Sequence, residues 1–161
     1  GFCAYPISKT ICLEPNIKNR FKMWEKEPPL FRLDKELENR LKEPLFGMDM
    51  YNLIASAEIV LNIHIDIAAV HAANLRMYEA TGVGACLLTD HKNDIKDYFE
   101  PDEEILTFRT PEEAKEKYEY IKDHPGELKK IAARGQTRTL RDHTMEQRID
   151  KLNSIIIKYL R

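Results

Sequence analysis

Glu58-Ile59-Val60-Leu61-Asn62-Ile63, a polar loop, the segment Asn74-Leu75-Arg76-Met77-Tyr78-Glu79-Ala80-Thr81-Gly82, and then Ala85-Cys86-Leu87-Leu88-Thr89 together decide the fold. The first and last of these are β-branched or nearly continuous apolar runs of strand length. Such runs suit strands buried on both faces, as in a parallel sheet covered by helices. The segment between them has helical length and ends in Gly82, read as the glycine just past the helix. Strand, helix and strand in this order predict an α/β layered fold with right-handed crossovers.

Downstream the alternation continues. Residues 94–99 read as a short helix or turn, and Ile105-Leu106-Thr107-Phe108 as a third strand. Thr110-Pro111-Glu112-Glu113 is a strong helix start, with a hydroxyl cap, Pro in the first turn and acids on the positive end of the helix. That helix is expected to run to about Lys122, where His124-Pro125-Gly126 stops it. A helix over residues 125–134 follows, and a last pair of helical segments reaches Arg161. Ile149, Leu152, Ile155, Ile156 and Tyr159 form an apolar stripe there, fitting either a sheet flank or an arm that packs elsewhere.

Upstream, Met50, Leu53, Ile54 and Ala57 give residues 48–57 helical spacing. Asp34 reads as the cap of a helix that carries Leu37 and Leu41 and stops at Pro44. The first third is otherwise irregular, with short strands at residues 2–6 and 10–13, a short helix near residues 17–24, and Pro28-Pro29 in a charged loop.

Bulk properties narrow the function. The 161 residues fit one domain. Lys and Arg number 25 against 27 Asp and Glu, with the signs interleaved, so there is no basic excess or stripe of the kind that binds nucleic acid. No apolar stretch approaches the roughly 20 residues of a membrane span, and no signal peptide is recognisable. The three cysteines, Cys3, Cys12 and Cys86, lack metal-ligand spacing, and Cys86 sits in an apolar run. Reduced thiols and a cytoplasmic setting follow. A chain beginning Gly1-Phe2-Cys3 reads as a piece of a longer one.

In open α/β sheets, ligands bind at the carboxyl ends of the strands beside helix N-termini. The loops over residues 62–74 and 89–94 occupy that place. Amide groups at the helix start, near Asn74, Leu75 and Arg76, suit a phosphate, to which Arg76 can add a charged hydrogen bond. Glu79, one turn deeper, offers two oxygens to the hydroxyls of a ribose. The same three-residue spacing equally suits a surface ion pair between Arg76 and Glu79. His64, Asp66 and His71 lack the spacing of a metal site; Asn62 and His64 read as loop staples, and Asp90 as a turn former. The basic groups Arg134, Arg138, Arg141 and His143 read as a solvated helix face.

From residue 45 to about residue 148 the chain resembles the C-terminal domain of two-Rossmann-domain (GT-B) glycosyltransferases, and in particular the bacterial family grouped with the spore-maturation protein CgeB. The matching runs are Phe46-Gly47-Met48-Asp49-Met50-Tyr51, Ile59-Val60-Leu61-Asn62, Ala73-Asn74-Leu75-Arg76-Met77-Tyr78-Glu79-Ala80-Thr81-Gly82-Val83-Gly84, Leu87-Leu88-Thr89-Asp90, Phe99-Glu100-Pro101 and Gly135-Gln136-Thr137-Arg138-Thr139-Leu140. The resemblance implies a Rossmann-like parallel sheet flanked by helices, the C-terminal half of a GT-B enzyme that binds a nucleotide-diphospho-sugar donor without a tightly bound cofactor or metal. It implies that Glu79 binds the donor ribose and Arg76 the diphosphate, with Asn74 and Leu75 at the helix start and Gly47 and Met48 in a loop against the base. Many relatives carry a second Glu at the position of His71, so the paired-Glu pattern is broken here. His71 is then the candidate catalytic group, able to bond a donor-sugar hydroxyl or phosphate.

The resulting organisation is an irregular N-terminal part or truncated linker over residues 1–44, and a nucleotide-sugar-binding domain with a helical tail over residues 45–161. The expected partners are the donor, an unknown sugar, lipid or protein acceptor, and the N-terminal Rossmann domain of the parent chain, without which the piece transfers nothing. Two alternatives stay open: a non-catalytic α/β protein-interaction module, and another sugar-nucleotide enzyme, which lacks support from any Gly-rich dinucleotide fingerprint.

Overall fold

A computed structural model describes residues 42–160, except 66, 67 and 73. The strands expected over residues 2–6 and 10–13, the helices near residues 17–24 and after Asp34, and Cys3, Cys12, Trp24 and Asp66 lie outside the described residues. Phe46–Arg161 forms one compact unit. Its elements are α1 (Gly47–Ser56), β1 (Ile59–Asn62), α2 (Leu75–Gly82), β2 (Cys86–Asp90), a single 3-10 turn (Ile95–Asp97), β3 (Leu106–Phe108), α3 (Pro111–Asp123), α4 (Pro125–Asp142) and α5 (Met145–Tyr159).

The fold is α/β, with a three-stranded parallel sheet in the order β1-β2-β3. Register pairs Asn62 with Thr89 and Asp90 with Phe108, so the carboxyl ends of the strands lie side by side. Central strand β2 is buried on both faces because its side chains alternate between two cores. Leu87 joins Ile54, Met77, Ala80, Phe99 and Ile105, whereas Cys86 and Leu88 join Phe108, Ile121, Leu128 and Ile131. Burial pushes the Cys86 thiol up to about 12, which leaves it a small hydrophobe rather than a nucleophile.

Edge position changes the expectation for β1. Its apolar run predicts burial on both faces, yet Leu61 is 40% and Ile63 64% exposed. Among the described residues β1 pairs with β2 alone, which places it at one end of the sheet order.

Helix ends follow the local chemistry. Asn74 caps α2, its side chain accepting the Met77 amide, and Thr110 caps α3 by accepting the Glu113 amide. The end of α2 corrects the expectation for Gly82, which is the last helical residue. The left-handed residue is Gly84 (φ +85), two positions on, and the amides of Gly84 and Ala85 reach back to the carbonyls of Thr81 and Ala80.

A second correction concerns α4, which runs unbroken through Gly135 to Asp142 instead of ending near Arg134. Gly135 interrupts nothing because its missing Cβ is a packing requirement: a side chain there would collide with the carbonyl oxygen of Glu104. Beyond it, Gln136 Nε2 donates to Gly82 O at 3.1 Å, and the Thr81 and Thr139 hydroxyls meet at 2.6 Å in a buried contact. These bonds fasten α4 to α2. No helix among the described residues is long and apolar enough to cross a membrane.

Candidate site at the carboxyl edge of the sheet

Asn62 ends β1, and its buried carboxamide organises the edge. Its Nδ2 donates to Thr89 Oγ1 on β2 at 2.9 Å, and its Oδ1 accepts from Asn74 Nδ2 at 2.8 Å. Asn74 spends its own oxygen on the Met77 amide. Two strand ends and the first turn of α2 are thereby tied through one side chain, which places the positive end of α2 over the sheet edge.

The two loops expected to form the site pack on each other. Lys92 Nζ donates to Ala69 O (2.9 Å), the Asn93 amide to Val70 O (3.0 Å) and the Ala72 amide to Asp94 Oδ1 (2.6 Å). His71 Nδ1 lies 3.0 Å from Asp94 Oδ2, but the His71 side chain is exposed. Burial opposes ionisation of Asp94, yet its bonds from Ala72 and His71 prevail and hold the carboxyl below the usual aspartate range.

Arg76 and Glu79 come together on α2, with Nη1 and Oε2 3.1 Å apart and the Glu79 side chain only 12% exposed. The ion-pair geometry foreseen for this spacing is therefore present. Leu75 is exposed beside the Asn74 cap. Gly47 opens α1 with φ +57, a conformation that favours glycine, and Phe46 and Met48 flank it with exposed side chains.

One constellation escaped the sequence reading. His64 and Asp90, separately read as a staple and a turn former, form a pair across the ends of β1 and β2. Asp90 Oδ1 accepts the His64 amide at 2.9 Å and stands 2.7 Å from His64 Nδ1, while Lys92 Nζ lies 3.1 Å from Asp90 Oδ2. Burial works to raise the Asp90 pKa, but the bonds from His64 and Lys92 outweigh it and hold the carboxyl below its ordinary value. An ionised carboxylate only accepts, so the Nδ1 of His64 carries the proton in this contact. The imidazole is sealed in, and its Nε2 is buried without a partner, a state that costs about 1–3 kcal/mol. Parallel pairing of Asn62 with Thr89 makes the contact, since it sets Asp90, the last residue of β2, beside the chain that leaves β1.

The basic tail is a solvated face only in part: Arg134 and Arg141 are exposed, whereas Arg138 and His143 turn inward. Arg138 Nε and His143 Nε2 both approach Tyr98 O, at 3.1 and 3.0 Å. His143 packs among Tyr78, Tyr98 and Phe99. Among the described residues no three His, Cys, Asp or Glu side chains converge as a metal ion would require. A concavity of about 300 Å³ lies elsewhere, between α3, α4 and the start of β3. Its Lys117 is paired with Asp102 and its Tyr120 with Glu127, so those groups are spent within the protein.

Residues 12–154 match the model of a family described as glycosyl transferase-like. The match begins well upstream of residue 45, where the resemblance read from the sequence starts. No curated protein is significantly similar to the chain. The matched span takes in the whole parallel sheet, both loops at its carboxyl edge and α2 with Arg76 and Glu79, and the chain belongs to the glycosyl transferase-like family.

Proposed function

We propose that this domain binds the nucleotide-diphospho-sugar donor of a bacterial, CgeB-like glycosyltransferase of GT-B architecture working in the cytoplasm. One observation carries the reading: a guanidinium and a largely buried carboxylate share the first turns of α2, the helix whose N-terminus is tied to the carboxyl ends of β1 and β2. Glu79 takes the ribose hydroxyls. Arg76 and the helix start at Asn74 and Leu75 take the diphosphate, whose developing charge they stabilise as the sugar–phosphate bond breaks. Gly47 and Met48 border the base, and His71 stands at the solvent rim toward the sugar or phosphate.

No tightly bound cofactor or metal is needed for that binding step. The acceptor, a sugar, lipid or protein, and the base that activates it belong with an N-terminal Rossmann domain of the longer chain. The domain alone therefore binds nucleotide and transfers nothing.

Calorimetric titration with UDP, GDP and dTDP tests the reading. One diphosphate is expected to bind saturably, and Glu79→Ala to weaken it by about 1.5–3 kcal/mol, roughly 10- to 150-fold. Unchanged affinity in a folded Glu79→Ala protein leaves the Arg76–Glu79 pair a structural ion pair and removes the ribose assignment.

A further inference from the structure

We infer that His64 is a donor-contacting residue, its Nε2 hydrogen-bonding to a hydroxyl of the sugar to be transferred. The inference rests on the donor-binding reading and deepens it. Buried polar atoms in native proteins are nearly always paired, and Nε2 of His64 is the buried side-chain polar atom that the described residues leave unsatisfied. Its surroundings fix which kind of group it awaits. Asp90 Oδ1 meets both the His64 amide and Nδ1, so turning the ring breaks the Nδ1 bond. With Nδ1 engaged by Asp90, Nε2 is the ring atom left to meet a ligand, and a sugar hydroxyl, which can both donate and accept, suits it.

Position narrows the hydroxyl. His64 lies two residues beyond Asn62, which bonds Asn74 at the start of α2, so it belongs to the diphosphate end of that helix. Glu79, assigned to the ribose, lies further along α2. The hydroxyl-bearing part of the donor on the other side of the diphosphate is the sugar. A carboxylate-oriented histidine whose outer nitrogen is unpaired stores an unmade bond that only the loaded site completes. Since Nε2 has no solvent access in the unliganded domain, groups around it shift when the sugar arrives.

Two substitutions separate this role from a structural one. In His64→Asn the shorter amide can keep the bond to Asp90, as Nδ1 does, and has nothing at the Nε2 position. In His64→Gln the amide reaches the Nε2 position and gives up the Nδ1 bond. The probes are UDP, GDP and dTDP, each with a matching nucleotide sugar (UDP-glucose, GDP-mannose, dTDP-glucose), titrated by calorimetry, with melting curves of the unliganded proteins.

The expected result is that His64→Asn melts no lower than the parent, binds the nucleoside diphosphate equally, and loses about tenfold in affinity for the nucleotide sugar, with His64→Gln keeping more of it. In the parent protein, the nitrogen resonance of His64 Nε2 should move on adding the nucleotide sugar and stay put with the diphosphate alone. That measurement needs no variant to fold. Equal sugar affinity in all three proteins with a motionless Nε2 resonance overturns the His64 role and leaves donor binding standing. Retained binding in His64→Asn with loss in His64→Gln makes the Asp90 staple its whole purpose. Failure of the parent to bind any probe overturns the donor reading and this inference with it.

Discussion

Helices α4 and α5 carry comparable apolar stripes and meet opposite fates. α4 buries Leu128, Ile131, Ala132, Gly135 and Thr139, packing against β2, α2 and α3. α5 buries none of its residues, and Ile149, Leu152, Ile155, Ile156 and Tyr159 all remain exposed. Among the described residues α5 is held by the Thr144–Gln147 capping box, the Gln147 side chain on Arg141 O, and Arg148 stacked 4.4 Å over the Tyr78 ring. A helical apolar stripe thus reveals that a face calls for cover, and not whether the same chain supplies it. Isolated helices of this length are marginal in water, so the cap and the cation–π contact matter more for α5 than packing does.

The largest expected effect separates the two stripes directly. Ile131→Ala in α4 should lower unfolding free energy by about 2–5 kcal/mol through a cavity between helix and sheet, whereas Leu152→Ala in α5 should stay within about 0.5 kcal/mol. Urea unfolding of both variants decides it, and a comparable loss at Leu152 would break the comparison by showing that the α5 stripe is covered in solution. Next comes Gly135→Ala, expected to cost about 1–3 kcal/mol because the neighbouring atom is the rigid backbone carbonyl of Glu104. Equal stability there would mean that α4 can lift off the Glu104 turn. The smallest effect belongs to Thr144→Ala. Loss of the cap should cost about 1 kcal/mol confined to α5, read as faster amide exchange over Met145–Tyr159 with an unchanged urea midpoint.

Much of the fold was legible because its signals are local. The apolar run at β2 announced a strand buried on both faces, and Thr110-Pro111-Glu112-Glu113 marked the start of α3 to the residue. Misjudged points share a different cause. β1 looks like a central strand in sequence, and only the strand order puts it at the edge of the sheet among the described residues. The helix from residue 125 reads as ending near Arg134, whereas the structure carries it on to Asp142 with Gly135 packed on the Glu104 carbonyl. Within the candidate site, the Arg76–Glu79 encounter follows from helical spacing and could be foreseen. His64 with Asp90 could not, since 26 residues separate them and neither carries a recognisable motif.

The sequence by itself determined the alternation of strands and helices, the caps that start them and the placing of Arg76 and Glu79 on one helix face. Periodicity and capping act over a few neighbouring residues, so the chain order alone contains them. Tertiary structure decided which strand lies at the edge, that α4 rather than α5 covers the sheet, and that Asn62 joins two strand ends to α2. It also decided that the imidazole of His64 is pinned by Asp90 with one nitrogen unsatisfied. Those outcomes depend on parallel register between strands far apart in sequence, and register is fixed only when both cores close around β2.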